Sequence, residues 1–389
     1  MIPLPLAPLT PDEAEHEARV VARIRAELDA AGGWLPFARY MELALYAPGL
    51  GYYAAGAHKL GAGGDFVTAP ELSPVFGRCV ASQVGDVLAA LGGGEVLEIG
   101  AGSGALAVEL LGELARAGAA PGRYRILETS PDLRERQRQA IDRLPAALGA
   151  GVEWLERIPA EPFRGVVLAN EVLDALPVER FRIGADGVEA LGVGLADGRL
   201  ASVARPADAA LTAAVAELGV SFARGYASEL CPGLAPWLAS VTAPLAAGIA
   251  LLLDYGYPRA EYYGAARDGG TLACFHRHRR HEDPFVNVGL QDLTAWVDFT
   301  RVAEAGLAAG LEVLGFTTQA HFLLANGFER HLAALRATLP PEREPLAAPA
   351  ALKLVLPSEM GERFKCIALG RDYPAPLAGF ALRDFTATL

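Results

Sequence analysis

The sequence has few lysines and an excess of acidic side chains. Lysine occurs only at Lys59, Lys353 and Lys365, and 34 basic against 46 acidic residues give a formal net charge of -12 at pH 7. Such a chain is poorly suited to neutralising many phosphate groups, so we expect no nucleic-acid partner. A small molecule or a protein is the expected substrate class.

The sequence also lacks the patterns of a disulfide framework, a targeting signal or a membrane span. Its four cysteines show neither CxxC nor paired spacing. They are Cys79, Cys231, Cys274 and Cys366. The first residues have no basic leader, and the longest apolar stretch, near residue 250, is too short to cross a bilayer. We therefore expect a bacterial cytoplasmic protein in a reducing compartment.

Apolar residues make up 52% of the 389 residues, enough for a sizeable core. Strand-like runs alternate with amphipathic helical stretches from residue 93 onward, which is typical of a parallel sheet with crossover helices. The strand-like runs are EVLEIG, RYRILET, VEWLER, GVVLAN and IALLLDYG. The sequence therefore predicts a doubly wound, Rossmann-like α/β core.

Three regions are predicted around this pattern. Residues 1–92 form a helical segment, which begins with an N-cap at Thr10, Pro11 and Glu13 and includes the loop GDFVTAPE. Residues 93–177 and 245–370 form the core. Residues 178–244, whose spacing indicates hairpins followed by helices, form an inserted subdomain on the substrate side.

The first strand ends in a glycine-rich loop, VLEIGAGSGALAVELL. Glycines after a buried parallel strand let a ligand approach the backbone N–H groups at the start of the next helix. The loop GAGSGA, which comprises Gly100, Ala101, Gly102, Ser103 and Gly104, fits a dinucleotide or S-adenosylmethionine equally well. Glu98 favours S-adenosylmethionine, because its carboxylate would repel a pyrophosphate and attract a sulfonium. A tight turn without a ligand is the alternative.

Polar residues also follow two further strands. Glu128, with Thr129 beside it, ends the second strand, where a carboxylate can accept both ribose hydroxyls; an acidic helix start before Pro131 is the alternative. Asn170 and Glu171 end a fully apolar strand, and Asp174 follows one helical turn later. Asn170 is assigned to the cofactor, although these groups could instead cap the following turn.

Several ordered blocks resemble the MidA family of class I S-adenosylmethionine methyltransferases, from about LPFARYM to Leu369. The blocks are GDFVTAPELSPVFG, EIGAGSGAL, LETSPDLRERQ, ANEVLDALPVERF, LLDYGY, GTLACFHRHRRHEDPF, DLTAWVDF and MGERFKCIAL. The resemblance implies a seven-stranded core and S-adenosyl-L-methionine as cofactor. For mitochondrial members it further implies a role in complex I assembly and dimethylation of an arginine on a complex I subunit, so such a subunit is the candidate protein substrate.

An arginine acceptor requires carboxylates that orient the guanidinium and accept its proton. Glu171 and Asp174 are the first candidates, and Asp65 and Glu71 of the GDFVTAPE loop are expected to complete the pocket. A turn before a helix is the alternative for this loop.

Other residues are assigned to the rim of the same site. Thr68 and Pro70 are assigned to the cofactor, and Phe66 to stacking on adenine or substrate. Asp254 and Tyr255, which end the strand LLLDYGY, are assigned to the substrate, with a strand-end turn as the alternative.

The cluster of His276, His278 and His281 has no nearby thiolate, and its interleaved arginines would repel a cation, so we expect no metal. His276 and His278 are instead assigned to the substrate groove or to an acidic stretch of the partner.

Two other functional classes stay open at this point. One is an NAD-dependent oxidoreductase that uses the same crevice, and the other is a non-catalytic assembly chaperone that binds the cofactor only for stability. Neither the methylation state nor the oligomeric state follows from the sequence, and a homodimer is compatible with it.

Overall fold

The structure is a computed structural model that describes residues 7–55, 68–342 and 344–389. The chain divides into two compact units. The N-terminal unit comprises the described part of residues 1–66, together with residues 175–233 and 260–296. The core unit comprises the described part of residues 67–174, together with residues 234–259 and 297–389. Each unit has its own cluster of buried apolar side chains.

The α-helices of the described residues are numbered in chain order. They are α1 Pro11–Ala30, α2 Phe37–Tyr46, α3 Ala69–Leu72, α4 Pro74–Leu91, α5 Ala105–Arg116, α6 Pro131–Ile141, α7 Ala146–Gly149, α8 Ala209–Glu217, α9 Leu234–Thr242, α10 Arg259–Tyr262, α11 Phe299–Ala308, α12 Gln319–Ala325, α13 Phe328–Thr338 and α14 Glu344–Leu352. None of them, within the described residues, combines the length and the apolar composition that a membrane-spanning helix requires.

The β-strands are numbered in the same way. They are β1 Glu95–Ile99, β2 Arg123–Leu127, β3 Val152–Leu155, β4 Phe163–Asn170, β5 Glu179–Ile183, β6 Val188–Ala196, β7 Arg199–Pro206, β8 Ala227–Leu230, β9 Leu245–Tyr257, β10 Ala273–His276, β11 Arg279–His281, β12 Asp292–Thr294, β13 Val297–Asp298, β14 Glu312–Thr318 and β15 Phe364–Arg371.

The core unit is built on one sheet with the strand order β14-β15-β9-β4-β1-β2-β3. Strands β3, β2, β1, β4 and β9 run parallel, whereas β15 pairs antiparallel with both β9 and β14. The two-residue strand β13 adds to β9. The predicted doubly wound α/β class is therefore confirmed, and the five parallel strands β1, β2, β3, β4 and β9 overlap the apolar runs from which they were predicted.

A ligand-binding crevice is expected at the carboxyl ends of the parallel strands. Strand β1 lies between β2 and β4, so the chain passes from β1 outward to β2 and β3 on one side and to β4 and β9 on the other. The connections that follow β1 and β4 therefore leave the sheet in opposite directions. Such a switch point leaves a crevice outside the carboxyl ends of the strands, where ligands of open α/β sheets bind.

The N-terminal unit contains α1 and α2 and two small antiparallel sheets, with strand orders β7-β6-β5-β8 and β11-β10-β12. Helix α1 begins with the predicted capping box: the Thr10 hydroxyl accepts a hydrogen bond from the Glu13 N–H, and the Glu13 carboxylate accepts one from the Thr10 N–H. Helix α1 ends at Ala30, and two glycines with positive φ follow, Gly32 and Gly33. The predicted N-cap of this helix is therefore confirmed.

The sequence predicted three regions: residues 1–92, residues 178–244, and a core of residues 93–177 and 245–370. The structure divides the chain differently. Helices α1 and α2 group with the inserted strands, because Leu35 and Val193 exchange two backbone hydrogen bonds and share one apolar cluster. Residues 260–296 belong to this unit as well. By contrast, α4 packs on α5, and α9 packs on α11, so both belong to the core unit.

Candidate active site

The glycine loop runs between the end of β1 and the start of α5. Gly100, Gly102 and Gly104 have φ values of 63°, 54° and 84°, a backbone conformation that side chains rarely adopt. A Cβ atom on Gly104 would also lie 3.2 Å from the Cα atom of Gln137. The loop therefore needs glycine for its conformation, and it brings the N-terminus of α5, with its partial positive charge, to the crevice.

The two remaining loop residues differ in exposure. Ala101 is buried and belongs to the apolar cluster of the core unit, whereas Ser103 is half-buried. The N–H of Gly100 donates to the carbonyl oxygen of Leu127 at 3.0 Å, which ties the loop to the end of β2. Backbone groups and one hydroxyl are therefore what the loop can offer to a ligand.

Glu98 lies beneath this loop and is only 2% exposed. Its Oε2 atom accepts a hydrogen bond from the Tyr124 hydroxyl at 2.6 Å. Burial raises the pKa of Glu98 to about 7, although the hydrogen bond from Tyr124 opposes the shift. The carboxyl group is therefore largely neutral below pH 7, and the repulsion of a pyrophosphate that the sequence suggested is weaker than it would be for an ionised carboxylate.

Glu128 directly follows β2, and its carboxylate is held by two donors. The Ser130 N–H donates to Oε1 at 2.9 Å, and the Gln137 side-chain amide donates to Oε2 at 3.1 Å. Burial raises the pKa of Glu128, while both hydrogen bonds lower it. The neighbouring Thr129 is exposed. A carboxylate fixed in this way at the end of β2 can accept hydrogen bonds from hydroxyl groups of a ligand.

Gln137 is a site residue that the sequence analysis missed. It lies on α6 and is fully buried, and its amide also donates to the carbonyl oxygen of Gly102 at 3.0 Å. The only sequence signal is its spacing: Gln137 lies four residues before Ile141, and these two are the buried residues of α6. A polar side chain in a buried position of a helix needs hydrogen-bond partners.

Glu171 directly follows β4 and has a φ of 53°, which is uncommon for a residue with a side chain. Its N–H continues the ladder by donating to the Leu253 carbonyl, and its Oε1 atom accepts hydrogen bonds from the Ala69 N–H at 3.2 Å and the Asn170 amide at 3.0 Å. Burial, followed by the nearby Asp174 carboxylate, raises the pKa of Glu171 to about 8. Such a group can exchange a proton near neutral pH.

Asp254 lies behind Glu171 and Asp174 and has no exposed surface. Its carboxylate accepts hydrogen bonds from the backbone N–H groups of Leu173, Asp174 and Tyr255, at 2.9, 3.2 and 2.8 Å. Burial, followed by the charges of Asp174 and Glu171, raises its pKa. Asp254 thus joins the end of β9 to the turn after β4.

Asp174 is buried too, and it receives a hydrogen bond from the Tyr255 hydroxyl at 2.5 Å. The Tyr255 ring packs edge-on against Phe364, with 5.3 Å between ring centroids. The two residues assigned to the substrate on β9 therefore differ: Asp254 supports the backbone, while Tyr255 holds the carboxylate of Asp174.

The described end of the GDFVTAPE loop reaches the same place. Thr68 is the N-cap residue of the short helix α3, and Pro70 lies in its first turn. The Ala69 N–H is the donor to Glu171, and the charge of Glu71 contributes to the raised pKa of Glu171. The structure therefore brings Thr68, Pro70 and Glu71 close to Glu171. Asp65 and Phe66 lie outside the described residues.

His276 and His278 lie in the N-terminal unit, on the hairpin of β10 and β11. His276 is buried, and its Nδ1 atom is 2.8 Å from the Leu290 carbonyl oxygen. His278 is exposed at the tip, with a φ of 60°. Burial lowers the pKa of His281. Within residues 7–55, 68–342 and 344–389, no group of three His, Cys, Asp or Glu side chains could hold a metal ion.

Two comparisons of whole chains agree with this geometry. A protein of Burkholderia thailandensis, crystallised with bound S-adenosyl-homocysteine, is 44% identical and superimposes with a TM-score of 0.93 over 99% of this chain and 100% of the other. Curated relatives are named mitochondrial protein arginine methyltransferases NDUFAF7. The zebrafish (Danio rerio) protein is 30% identical over 86% of this chain and 83% of its own. The Drosophila melanogaster homologue is 29% identical over 92% and 85%.

The family comparison covers the site itself. Residues 79–317 match a family of S-adenosyl-L-methionine-dependent methyltransferases, and this range contains the glycine loop, Glu128, Glu171 and Asp254. It covers more than half of the chain. The cofactor choice that the glycine motif left open is thereby decided in favour of S-adenosylmethionine, and the protein belongs to this family of S-adenosyl-L-methionine-dependent methyltransferases.

Proposed function

We propose that this methyltransferase transfers a methyl group from S-adenosylmethionine to an arginine side chain of a protein. The first support is the name of the relatives, protein arginine methyltransferases that align with 86% and 92% of this chain. The second is the site, where Glu171 and Asp174 lie together at the end of β4 with Glu71 near Glu171. A cationic acceptor fits such a group of acidic side chains better than a neutral one does.

Two features of this chain fit the cofactor: three loop glycines at alternate positions have positive φ before the start of α5, and a carboxylate fixed by hydrogen bonds follows β2. The residues that we propose to hold it are Glu98, Gly100, Ala101, Gly102, Ser103, Gly104, Glu128, Thr129, Asn170, Thr68 and Pro70. Within this set, Glu128 would bind the ribose, and Glu98 would act through the loop because it is buried.

When bound, S-adenosylmethionine supplies a methyl group on a positively charged sulfur, which leaves as a neutral thioether. The chain has to hold the acceptor nitrogen in line with this carbon and to remove one proton from the guanidinium. We assign proton removal to Glu171, because a pKa of about 8 matches the pH at which a general base is effective. Asp174, held by the Tyr255 hydroxyl, would orient the guanidinium.

The observation that carries this proposal is the raised pKa of Glu171 beside a second carboxylate. Two ionised carboxylates that lie close together away from water repel each other, unless a cation or a proton neutralises one of the negative charges. A bound guanidinium would provide that compensation, so it would lower the pKa of Glu171 and prepare the ionised base. Glu171 accepts a proton from the guanidinium during the transfer. Its negative charge is then neutralised when the methylated guanidinium leaves with its positive charge.

The remaining assignments concern the protein partner. Asp65, Glu71 and Phe66 are proposed to line the acceptor pocket, and His276 and His278 to contact the partner protein. Asp254 and Tyr255 are proposed to act through Asp174. A subunit of respiratory complex I is the candidate partner that the family resemblance implies, with the bacterial cytoplasm as the compartment and a homodimer as a candidate assembly.

The experiment that tests the proposal uses S-adenosylmethionine with a labelled methyl group and a lysate of the source cell in which the gene is deleted. We expect one labelled polypeptide whose methylated residue is arginine by mass spectrometry. Glu171→Gln and Asp174→Asn should reduce the rate of labelling at least about 100-fold while S-adenosylhomocysteine still binds. Glu312→Gln, an exposed glutamate at the start of β14, is the matched control and should keep full labelling.

The possible outcomes separate the alternatives. Label on another residue type or on a small molecule contradicts an arginine acceptor but leaves the methyltransferase class intact. No label at all, with normal cofactor binding and a recombinant complex I subunit present, would favour a non-catalytic assembly role. Full labelling by both carboxylate variants would remove Glu171 and Asp174 from the mechanism.

A further inference from the structure

One buried side chain connects two parts of the proposed cofactor site without facing the ligand itself. Gln137 is fully buried on α6, and its amide lies between the glycine loop and Glu128. Its Nε2 atom is 3.0 Å from the Gly102 carbonyl oxygen and 3.1 Å from Oε2 of Glu128. Its Oε1 atom is 3.0 Å from Nε1 of Trp154 on β3.

The orientation of this amide follows from the chemistry of its partners. An indole N–H can only donate, so Trp154 fixes the oxygen of the Gln137 amide as its acceptor. The amide nitrogen must then face the Gly102 carbonyl and the Glu128 carboxylate, which can only accept. All three hydrogen-bonding groups of the amide are used, and a flipped amide would place oxygen against oxygen on one side and N–H against N–H on the other.

The glycine loop also depends on the backbone of α6. Any side chain at Gly104 would lie within 3.2 Å of the Gln137 Cα atom, so α6 packs directly against the loop at the position where the side chain of Gln137 leaves the helix. The same residue therefore sets the distance between α6 and the loop through its backbone and the position of Glu128 through its amide.

We propose that Gln137, held by Trp154, is a positioning residue that fixes the Glu128 carboxylate for the ribose hydroxyls of the cofactor. The inference rests on the proposed cofactor role of Glu128 and goes beyond it, because it makes ribose recognition depend on a pair of residues that do not contact the ligand. The backbone N–H groups of Ser130, which bonds to Oε1 at 2.9 Å, and of Thr129 also donate to Glu128. The Gln137 amide is the side-chain donor, on Oε2, and we infer that it fixes the rotation of the carboxylate.

The test measures the affinity of S-adenosylhomocysteine and of its 2′,3′-dideoxy analogue, which lacks both ribose hydroxyls, by calorimetry. The wild-type chain should bind the analogue about tenfold or more weakly than S-adenosylhomocysteine. Gln137→Met keeps the side-chain length but removes the amide. It should lower the affinity for S-adenosylhomocysteine about tenfold while the affinity for the analogue changes less than about threefold.

Two further variants provide a second way to disturb the Gln137 amide and a control on the same helix. Trp154→Phe removes the indole N–H donor and keeps an aromatic, although smaller, ring. It should give the same pattern with an effect of about threefold, so it serves if Gln137→Met does not fold. Gln139→Met is the matched control, because Gln139 is an exposed glutamine on the same helix that bonds to Glu135; it should leave both affinities unchanged.

Three results would overturn the inference. An equal loss for both ligands would mean that Gln137 merely stabilises the fold, and no loss for either would mean that Glu128 is positioned without it. If the wild-type chain did not prefer the ligand with hydroxyls, Glu128 would not bind the ribose at all. None of these measurements uses a methyl acceptor, so a failure of the arginine proposal would leave this inference untouched, and the reverse also holds.

Discussion

Glu128 and Glu171 follow the carboxyl ends of the two strands that flank β1, but their surroundings differ in charge. Glu128 is held by the Ser130 N–H and by the amide of Gln137, one donor on each oxygen. Glu171 has two donors on one oxygen, and the carboxylates of Asp174 and Glu71 raise its pKa further. The first environment suits neutral hydroxyl groups of a ligand, whereas the second suits a cation or a transferred proton.

The position at a strand end therefore does not determine the role of a carboxylate. Glu128 is buried and Glu171 is half-buried, and burial raises the pKa of each. The two residues differ in the second-largest influence on the pKa. For Glu128 it is a hydrogen bond from Ser130, which lowers the pKa, and for Glu171 it is the negative charge of Asp174, which raises it.

The largest effect is expected from Glu171→Gln. The amide keeps the shape of the side chain but cannot accept the proton, so kcat should fall roughly 100-fold to 10,000-fold. The affinity for S-adenosylhomocysteine, measured by calorimetry, should stay within about threefold because the ribose is held elsewhere. An equal loss of both quantities would place Glu171 in cofactor binding and would remove the contrast with Glu128.

The reverse pattern is expected from Glu128→Gln. Loss of a charged acceptor for two hydroxyls should weaken S-adenosylmethionine binding by about 10-fold to 100-fold. The value of kcat at saturating cofactor should remain close to that of the wild-type chain, because the base and the acceptor pocket are intact. Steady-state kinetics over a wide range of cofactor concentration separate the two quantities, and a large drop in kcat would contradict the assignment.

The pH dependence should distinguish the two carboxylates in the intact enzyme. Glu171 has a pKa of about 8 in the free enzyme and must be ionised to act as a base, so kcat/KM for the acceptor should rise with pH, by about tenfold per unit below pH 8, and level off above it. The arginine acceptor itself does not titrate in this range. Glu128→Gln should keep this profile, whereas the residual activity of Glu171→Gln should not rise.

A large part of the fold could be predicted from the sequence because its signals are local. The capping box of α1 depends on residues three apart, and each parallel strand of the core depends on a run of apolar residues, as in GVVLAN for β4. The grouping of α1 and α2 with the inserted strands could not be predicted. It depends on pairing between Leu35 and Val193, which are far apart in the chain.

The residues of the candidate site also differ in whether the sequence could predict them. The glycine loop, Glu128 and Glu171 carry signals in their own sequence neighbourhood, namely a motif or the end of an apolar run. Gln137 and the supporting role of Asp254 do not, because their partners come from other elements: Gln137 bonds to β3 and to the loop after β1, and Asp254 bonds to the turn after β4. A single sequence contains no record of such contacts.

The smallest effect concerns Glu98, on the strand between β2 and β4, and it is an effect on stability. Burial raises the pKa of Glu98 from 4.5 to about 7, so between these values the unfolded chain is ionised while the folded chain retains the proton. The folded state therefore loses stability as the pH rises through this window, by at most about 3 kcal/mol. Glu98→Gln keeps an acceptor for the Tyr124 hydroxyl and cannot ionise.

We therefore expect the variant to be similar in stability to the wild-type chain at pH 5 and more stable at pH 8, with the midpoint of thermal unfolding higher by a few degrees. Glu153→Gln on β3 is an exposed control and should show the same pH dependence as the wild-type chain. If Glu98→Gln were less stable at pH 8, the ionised carboxylate would be stabilising the folded state. Its charge could then contribute directly to the binding of a cationic cofactor.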